Sequence, residues 1–234
     1  MKILVLSDIH ANFAALEAVV QAEGDFDRLI VLGDLVSYGP RPRECIEFVQ
    51  RHAFVAVRGN HDHALAFNVD PRCSSVNKPL ALATLRYHRT LLTDEAVEYL
   101  GKLPRSQKFH LDGYRFYAAH ASPRDNLYSY RLTPELPDEA LKKEISRVRA
   151  DFLLLGHTHL PMVRGAGSRV VVNPGSVGQP RDGVPEASYA VIQDGVAEIK
   201  GVKYDLQKTV RALEVLPLEE AIIGRLITIL ETGR

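Results

Sequence analysis

Imidazole and carboxylate side chains gather in a few short blocks of the chain. The densest is Ala56-Val57-Arg58-Gly59-Asn60-His61-Asp62-His63, where four coordinating or proton-carrying side chains follow an apolar run. Asp8-Ile9-His10, Gly33-Asp34, a lone His120 and Gly156-His157-Thr158-His159 bring the total to five blocks. Two ligands spaced two apart in a loop leaving a strand can both turn toward one point. One such pair carries little weight, but five blocks at five strand ends are hard to ascribe to chance. Gly33, Gly59 and Gly156 each precede a block, as expected where backbone bends sharply or approaches closely. Carboxylate and amide oxygen mixed with imidazole nitrogen suits Mn, Fe, Zn, Ni or Co better than Ca or Mg. The donors are too many for one tetrahedral ion, and no thiolate is among them. Two metals sharing a carboxylate match the count. Such pairs sit about 3.5–4 Å apart and clamp the attacking and leaving oxygens of a displacement at phosphorus.

The elements that must position these blocks follow from the apolar pattern. Ile3 to Leu6 reads as a buried strand, and residues 12 to 23 as a helix with Asn12 as its N-cap. Residues 28 to 34 form a second strand, residues 42 to 51 a helix opening on Pro42, and residues 53 to 58 a third strand. This order argues for right-handed βαβ units and a largely parallel sheet. Residues 78 to 101 have helical spacing, and a hairpin turns at Asp112-Gly113. Residues 134 to 148 read as helix, and "DFLLLGHTH" as a strand ending in a block. "RVVVNPGS", "ASYAVIQ" and "VAEIKGVKY" are strands, and residues 205 to 232 are helical. Parallel units first and hairpins later predict an α/β protein, a four-layer α/β/β/α sandwich of two mixed sheets flanked by helices. Strand carboxyl ends are where open α/β sheets bind ligands, and each block falls at one. Residues 1 to 234 read as one domain, with a helical excursion over the site at about 64 to 105.

Composition narrows the classes. Lys plus Arg equals Asp plus Glu at 29 each, so no global field points to nucleic acid or a membrane, and attraction to an anion must be local. Cys45 and Cys73 are too few for a disulfide framework, which favours a reducing compartment. The apolar run after Lys2 is too short for a signal peptide or a membrane span. A cytoplasmic location is expected.

In order, Asp8-x-His10, Gly33-Asp34, Gly59-Asn60-His61-Asp62, His120 and Gly156-His157-x-His159 resemble the signature of the calcineurin-like metallophosphoesterases. "GDLVSYGPRP" and "NPGSVGQPRDG" are similar to the small bacterial and archaeal phosphodiesterase branch. The resemblance implies the same two-sheet sandwich. It implies one metal on Asp8, His10, Asp34 and His159, and another on Asp34, Asn60, His120 and His157, with Asp34 bridging. His61 would be the general acid or a phosphate contact, oriented by Asp62. Manganese would be the first ion to supply in vitro. The substrate would be a phosphate-ester small molecule or a nucleotide. Phosphodiester hydrolysis is the expected reaction, with phosphomonoester, dinucleoside-polyphosphate or phosphoprotein hydrolysis as alternatives. A non-catalytic scaffold is the alternative of a different class, since fold alone never proves chemistry. A scaffold has no need of every ligand and His61, and all are retained here.

Blander readings remain for single residues. Asp8 could cap a helix, Asp34 could be a turn residue, and Asp62 suits a helix N-terminus. His120 in isolation would be a core histidine. Arg181 is either a phosphate contact or a solvated loop arginine, and Tyr38 reads as a packing residue. His63 reads as a rim residue, Cys45 as core, and His52, His88 and His110 as ordinary surface or half-buried side chains. The C-terminal helices either pack on their own domain or mediate homo-oligomerisation.

Overall fold

The computed structural model describes residues 1–234. Strand β1 (Lys2–Leu6) leads through α1 (Phe13–Glu23) to β2 (Arg28–Val31), then through α2 (Pro42–His52) to β3 (Val55–Ala56). Helices α3 (Asn60–Phe67), α4 (Lys78–Leu91) and α5 (Asp94–Lys102) follow. The hairpin of β4 (Ser106–Leu111) and β5 (Tyr114–Ala119) precedes α6 (Asp138–Glu144), β6 (Phe152–Leu154), β7 (Met162–Ala166) and β8 (Arg169–Asn173). Then come β9 (Ala187–Gln193), β10 (Val196–Val202), α7 (Leu206–Glu214) and α8 (Glu220–Thr232).

Two mixed sheets result, in the orders β10-β9-β1-β2-β3 and β4-β5-β6-β8-β7. The first three strands pair in parallel, and β9 closes on β1 antiparallel. In the second sheet β5-β6 and β6-β8 are parallel, flanked by antiparallel β4 and β7.

The layering follows from alternation along each strand. Ile3 and Val5 of β1 point inward and join Ile30, Phe116, Phe152, Val172 and Ile192 in a core shared by both sheets. Leu4 and Leu6 point the other way, onto Leu16 and Val19 of α1 and Ile46 and Val49 of α2. Across the molecule Tyr117, Leu153 and Val171 meet Leu141 and Ile145 beside α6. This is the expected four-layer sandwich.

Several boundaries differ from the sequence reading. The third strand shrinks to Val55–Ala56, because the chain leaves the sheet to reach the site. Residues 78 to 101 are two helices, the second capped by Thr93, whose hydroxyl accepts from Ala96 N at 3.3 Å. Pro137 delays α6, and Pro217 lies between the two C-terminal helices. Strand β7 was not anticipated, since Gly165 interrupts its apolar alternation. Helix α3 begins inside the densest polar block, on Asn60 itself. The C-terminal helices pack on their own chain: Leu213, Leu226, Ile229 and Leu230 cluster with Leu80 and Ala81 of α4 and with Tyr38.

Candidate metal centre

The seven residues expected as metal ligands converge on one edge of the sandwich, where β1, β2, β3, β5 and β6 end. Each is nearly inaccessible: Asp8, His10, Asn60 and His120 are 0% exposed, and His157 and His159 2%. Asp8, His10 and His159 hold donor atoms within 4.8 Å of one another, as do Asp34, His120 and His157. Asp34 Oδ2 lies between the groups, 3.3 Å from His120 Nε2 and 3.8 Å from His10 Nε2. Asn60 Oδ1 sits 3.0 Å from His120 Nε2, while its Nδ2 donates to Pro71 O at 2.7 Å. The amide is thereby oriented with its oxygen toward the centre.

The local backbone is bent to achieve this. Asp8, His10, Asp34, His157 and His159 all adopt left-handed φ, between 46° and 69°. Asp and His tolerate this region better than most residues, but it persists only where surroundings over-determine it. Carboxylates provide that restraint. Asp8 Oδ2 accepts from Ser7 Oγ at 2.6 Å and from His157 N at 3.0 Å, tying the first sheet to the second. A side chain at Gly59 would collide with the Asp34 carboxylate, and one at Gly156 with Ser7.

The protons on three histidines are set by their backbone partners. His10 Nδ1 faces Val36 O at 3.0 Å, His120 Nδ1 faces Leu32 O at 2.7 Å, and His159 Nδ1 faces Gln179 O. A carbonyl only accepts, so Nδ1 carries the proton and each neutral ring presents an Nε2 lone pair. Yet His10 Nε2 and His159 Nε2 stand 3.2 Å apart, and His120 Nε2 and His157 Nδ1 also 3.2 Å. Facing lone pairs on His10 and His159 repel, and a proton between them would charge a buried ring, while His157 Nδ1–H can donate to His120 Nε2 only by leaving its own Nε2 lone pair buried. Asp8 Oδ1 and His157 Nε2 are buried with no hydrogen-bond partner. Divalent cations resolve all these conflicts, so the donor set fits the pair of ions. Ligating histidines tied by their other nitrogen to carbonyls are the usual outer-shell arrangement. Burial depresses the His10 and His157 imidazoles well below the ordinary value. At His120 burial acts the same way, but Asp34 outweighs it and raises the pKa to about 9. That is negative charge asking for a cation.

Two expectations need correction. Asp62 does not orient His61. Its Oδ2 accepts from Asp34 N at 2.8 Å and Gly59 N at 2.9 Å, and its Oδ1 from Leu35 N at 2.8 Å. Three backbone donors engage both of its oxygens, so it fixes the bend that aims Asp34. Burial first, then the Asp34 charge, raises the Asp62 pKa to about 7 against the pull of those donors. His61 is instead held by its own N–H, which donates to Asp34 Oδ1 at 2.8 Å. Its ring is buried beside His10 and Tyr38, with Nδ1 unpartnered and Nε2 4.0 Å from Asp34 Oδ2.

The second correction is His88, which is neither on the surface nor half-buried but 0% exposed. Its Nδ1 accepts from Ser37 N at 3.1 Å and its Nε2–H donates to Gly39 O at 2.9 Å. Thr84 Oγ1 accepts from Tyr38 N at 3.0 Å. Together they grip a loop whose Ser37 and Tyr38 have φ of 77° and 63°, and which supplies the Val36 carbonyl to His10. No motif announces this, because the gripping residues lie in an ordinary amphipathic helix.

The "NPGSVGQPRDG" segment also acquires a role. Asn173 Nδ2 donates to Gly156 O and to Thr158 Oγ1, both at 2.9 Å, and Ser176 Oγ donates to Asp8 O at 2.8 Å. It stitches the first and last ligand loops together. His63 packs on Phe67 and stays out of the centre, and Cys45 is core.

Fold and donor geometry together define a dinuclear phosphoesterase, and comparison with known proteins agrees. Residues 1–194 match the model of the calcineurin-like phosphoesterase superfamily domain, and the chain belongs to that family. It is 31% identical to the uncharacterized protein MJ0912 of Methanocaldococcus jannaschii, over 88% of this chain and 89% of that one. It is 26% identical to the phosphodiesterase YfcE of Escherichia coli, over 85% and 91%. A metallophosphoesterase crystal structure from Sphaerobacter thermophilus superposes with a TM-score of 0.83 at 32% identity, covering 100% of this chain and 99% of that one.

Proposed function

We propose that this phosphoesterase hydrolyses phosphodiester bonds of a small molecule or nucleotide in the cytoplasm. The observation that carries the reading is the pair of facing donor clusters, with Asp34 between them and imidazole lone pairs turned inward. Asp8, His10, Asp34 and His159 would hold one divalent ion, and Asp34, Asn60, His120 and His157 the other. Bound there, such a pair neutralises phosphate charge and lowers the pKa of water from 15.7 toward about 7.

The chain's own residues do the rest. His61, pinned through its N–H to Asp34, stands beside both clusters and is assigned the proton delivered to the departing alkoxide oxygen. A positioned acid of this kind contributes roughly 10²–10⁴-fold. Asp62 acts one step back, by setting the Asp34 bend. Burial of the centre excludes bulk water and strengthens each electrostatic contact. The family match ends at residue 194, yet Thr209 of α7 donates to Asn12 Oδ1 at 2.9 Å, so the tail is read as part of one domain spanning residues 1–234. Both cysteines are free, as suits a reducing compartment, and no helix is long and apolar enough to cross a membrane.

The test is bound metal per chain, with bis-p-nitrophenyl phosphate and p-nitrophenyl phosphate assayed in parallel with manganese. Near two ions per chain and preferential diester cleavage are expected. Preference for the monoester would make the protein a phosphatase. No ion and no turnover with Mn, Fe, Zn, Ni or Co would overturn the enzymatic reading.

A further inference from the structure

Beside the two donor clusters lies a group of side chains that no role assigned above uses. Gln179 is 1% exposed, and its Nε2 has no hydrogen-bond partner. Its other polar atoms are committed: the backbone oxygen faces His159 Nδ1, and Oε1 accepts from Arg181 Nη2 at 2.8 Å. Tyr38 is 3% exposed, and beyond the neighbouring Cys73 thiol its hydroxyl has no hydrogen-bond partner. Its ring lies 4.7 Å from His10 and 5.0 Å from His61. The Arg181 guanidinium donates to a neutral amide rather than a carboxylate, so its charge is not cancelled locally.

An amide N–H, a phenol and a guanidinium are all donors, so the missing ligand is an acceptor. A buried donor left without an acceptor is unfavourable, and a bound anion would supply the missing bonds. Charge decides which anion. Two divalent ions against the carboxylates of Asp8 and Asp34 already leave a positive surplus, and a singly charged diester needs no further cation. A guanidinium in addition suits a ligand with charge beyond the phosphate that sits on the metals.

We propose that Arg181, Gln179 and Tyr38 form an anion subsite that takes the second phosphoryl group of a phosphoanhydride-linked substrate, such as a nucleoside polyphosphate. The inference rests on the phosphoesterase reading above and narrows its substrate class. Tyr38 can be held so near the histidines because His88 and Thr84 fix its backbone from behind.

The test compares adenosine monophosphate with adenosine diphosphate, which differ by one phosphoryl group, on the manganese-loaded protein in excess manganese. Affinities are read by calorimetry and, in parallel, as inhibition of bis-p-nitrophenyl phosphate hydrolysis. Wild type should bind the diphosphate at least about tenfold more tightly. Arg181→Gln and Tyr38→Phe should each cut that ratio by about tenfold, as loss of a charge-assisted or buried hydrogen bond would, and leave monophosphate affinity within about threefold. Equal losses on both nucleotides would mean that these residues serve the metal-bound phosphate, and would overturn the proposal. So would an unchanged ratio in both variants. If wild type hydrolyses no phosphate ester, the catalytic reading falls, and the calorimetric ratio still decides the subsite.

Discussion

The strand-end cradle and the helical buttress behind it solve one problem by different means. In the cradle, ligands are held by carboxylates and carbonyls within the motif blocks: Asp62 on Asp34, Asp8 on His157, Leu32 on His120. In the buttress, His88 and Thr84 reach across from α4 to grip residues 37 to 39, with Leu80 and Leu226 packed around Tyr38. The cradle decides whether metal binds at all. The buttress decides how accurately one loop presents Tyr38 and the carbonyl that orients His10. Damage to the first should therefore appear as lost metal, and damage to the second as lost stability and altered substrate handling with metal retained.

The sharpest break is Asp34→Asn. An amide offers no charge between the clusters, so bound metal should fall to one ion per chain or fewer and diester turnover below detection, by metal analysis and assay. Retained metal and rate would remove Asp34 from the bridging position. His61→Ala should lower turnover about 10²–10⁴-fold with metal content unchanged, and metal loss instead would make His61 a ligand. Asp62→Ala leaves the amides of Asp34, Leu35 and Gly59 without their acceptor. At about 1–3 kcal/mol for each buried donor, denaturant unfolding should reveal a loss of several kcal/mol. Metal affinity should drop about 10–100-fold, as for other outer-shell partners.

The smallest expected effect, and the most specific to the buttress, is on pH. Burial lowers the His88 pKa from 6.5 to about 4. The unfolded chain therefore binds a proton between those values that the native state refuses, so stability falls as pH drops from about 7 toward about 4 and levels off below. The full swing is on the order of 3 kcal/mol. In His88→Gln, unfolding free energy should be lower at neutral pH and less steep across that window. A variant with the wild-type slope would mean that other groups carry the pH dependence.

What the sequence disclosed follows the same division. All seven expected ligands converge, because spacing within a strand-end loop is a local constraint that chemistry makes visible. The sandwich was equally legible, since Ile3 and Val5 against Leu4 and Leu6 carry the alternation of a strand packed on both faces. Asp62 was recognised but misassigned: a carboxylate next to a histidine suggests a pair, whereas backbone amides from residues 34, 35 and 59 were invisible. His88 was missed because its partners lie 49 and 51 residues away, and nothing in a helical pattern distinguishes a histidine facing a loop. Strand β7 was missed for want of alternation at an edge.

The tie from Asp8 to His157 joins residues 149 positions apart on separate sheets. An ion seated among such donors is a rivet through both halves of the sandwich, and its binding free energy is spent on keeping them together. During synthesis β1, β2 and β3 emerge early, but their sheet waits for β9 and β10, and the centre stays incomplete until residue 159 and the Asn173 to Gln179 stitch have emerged. Neither donor cluster is complete before residue 157, so occupancy of both ion positions requires the chain through both sheets.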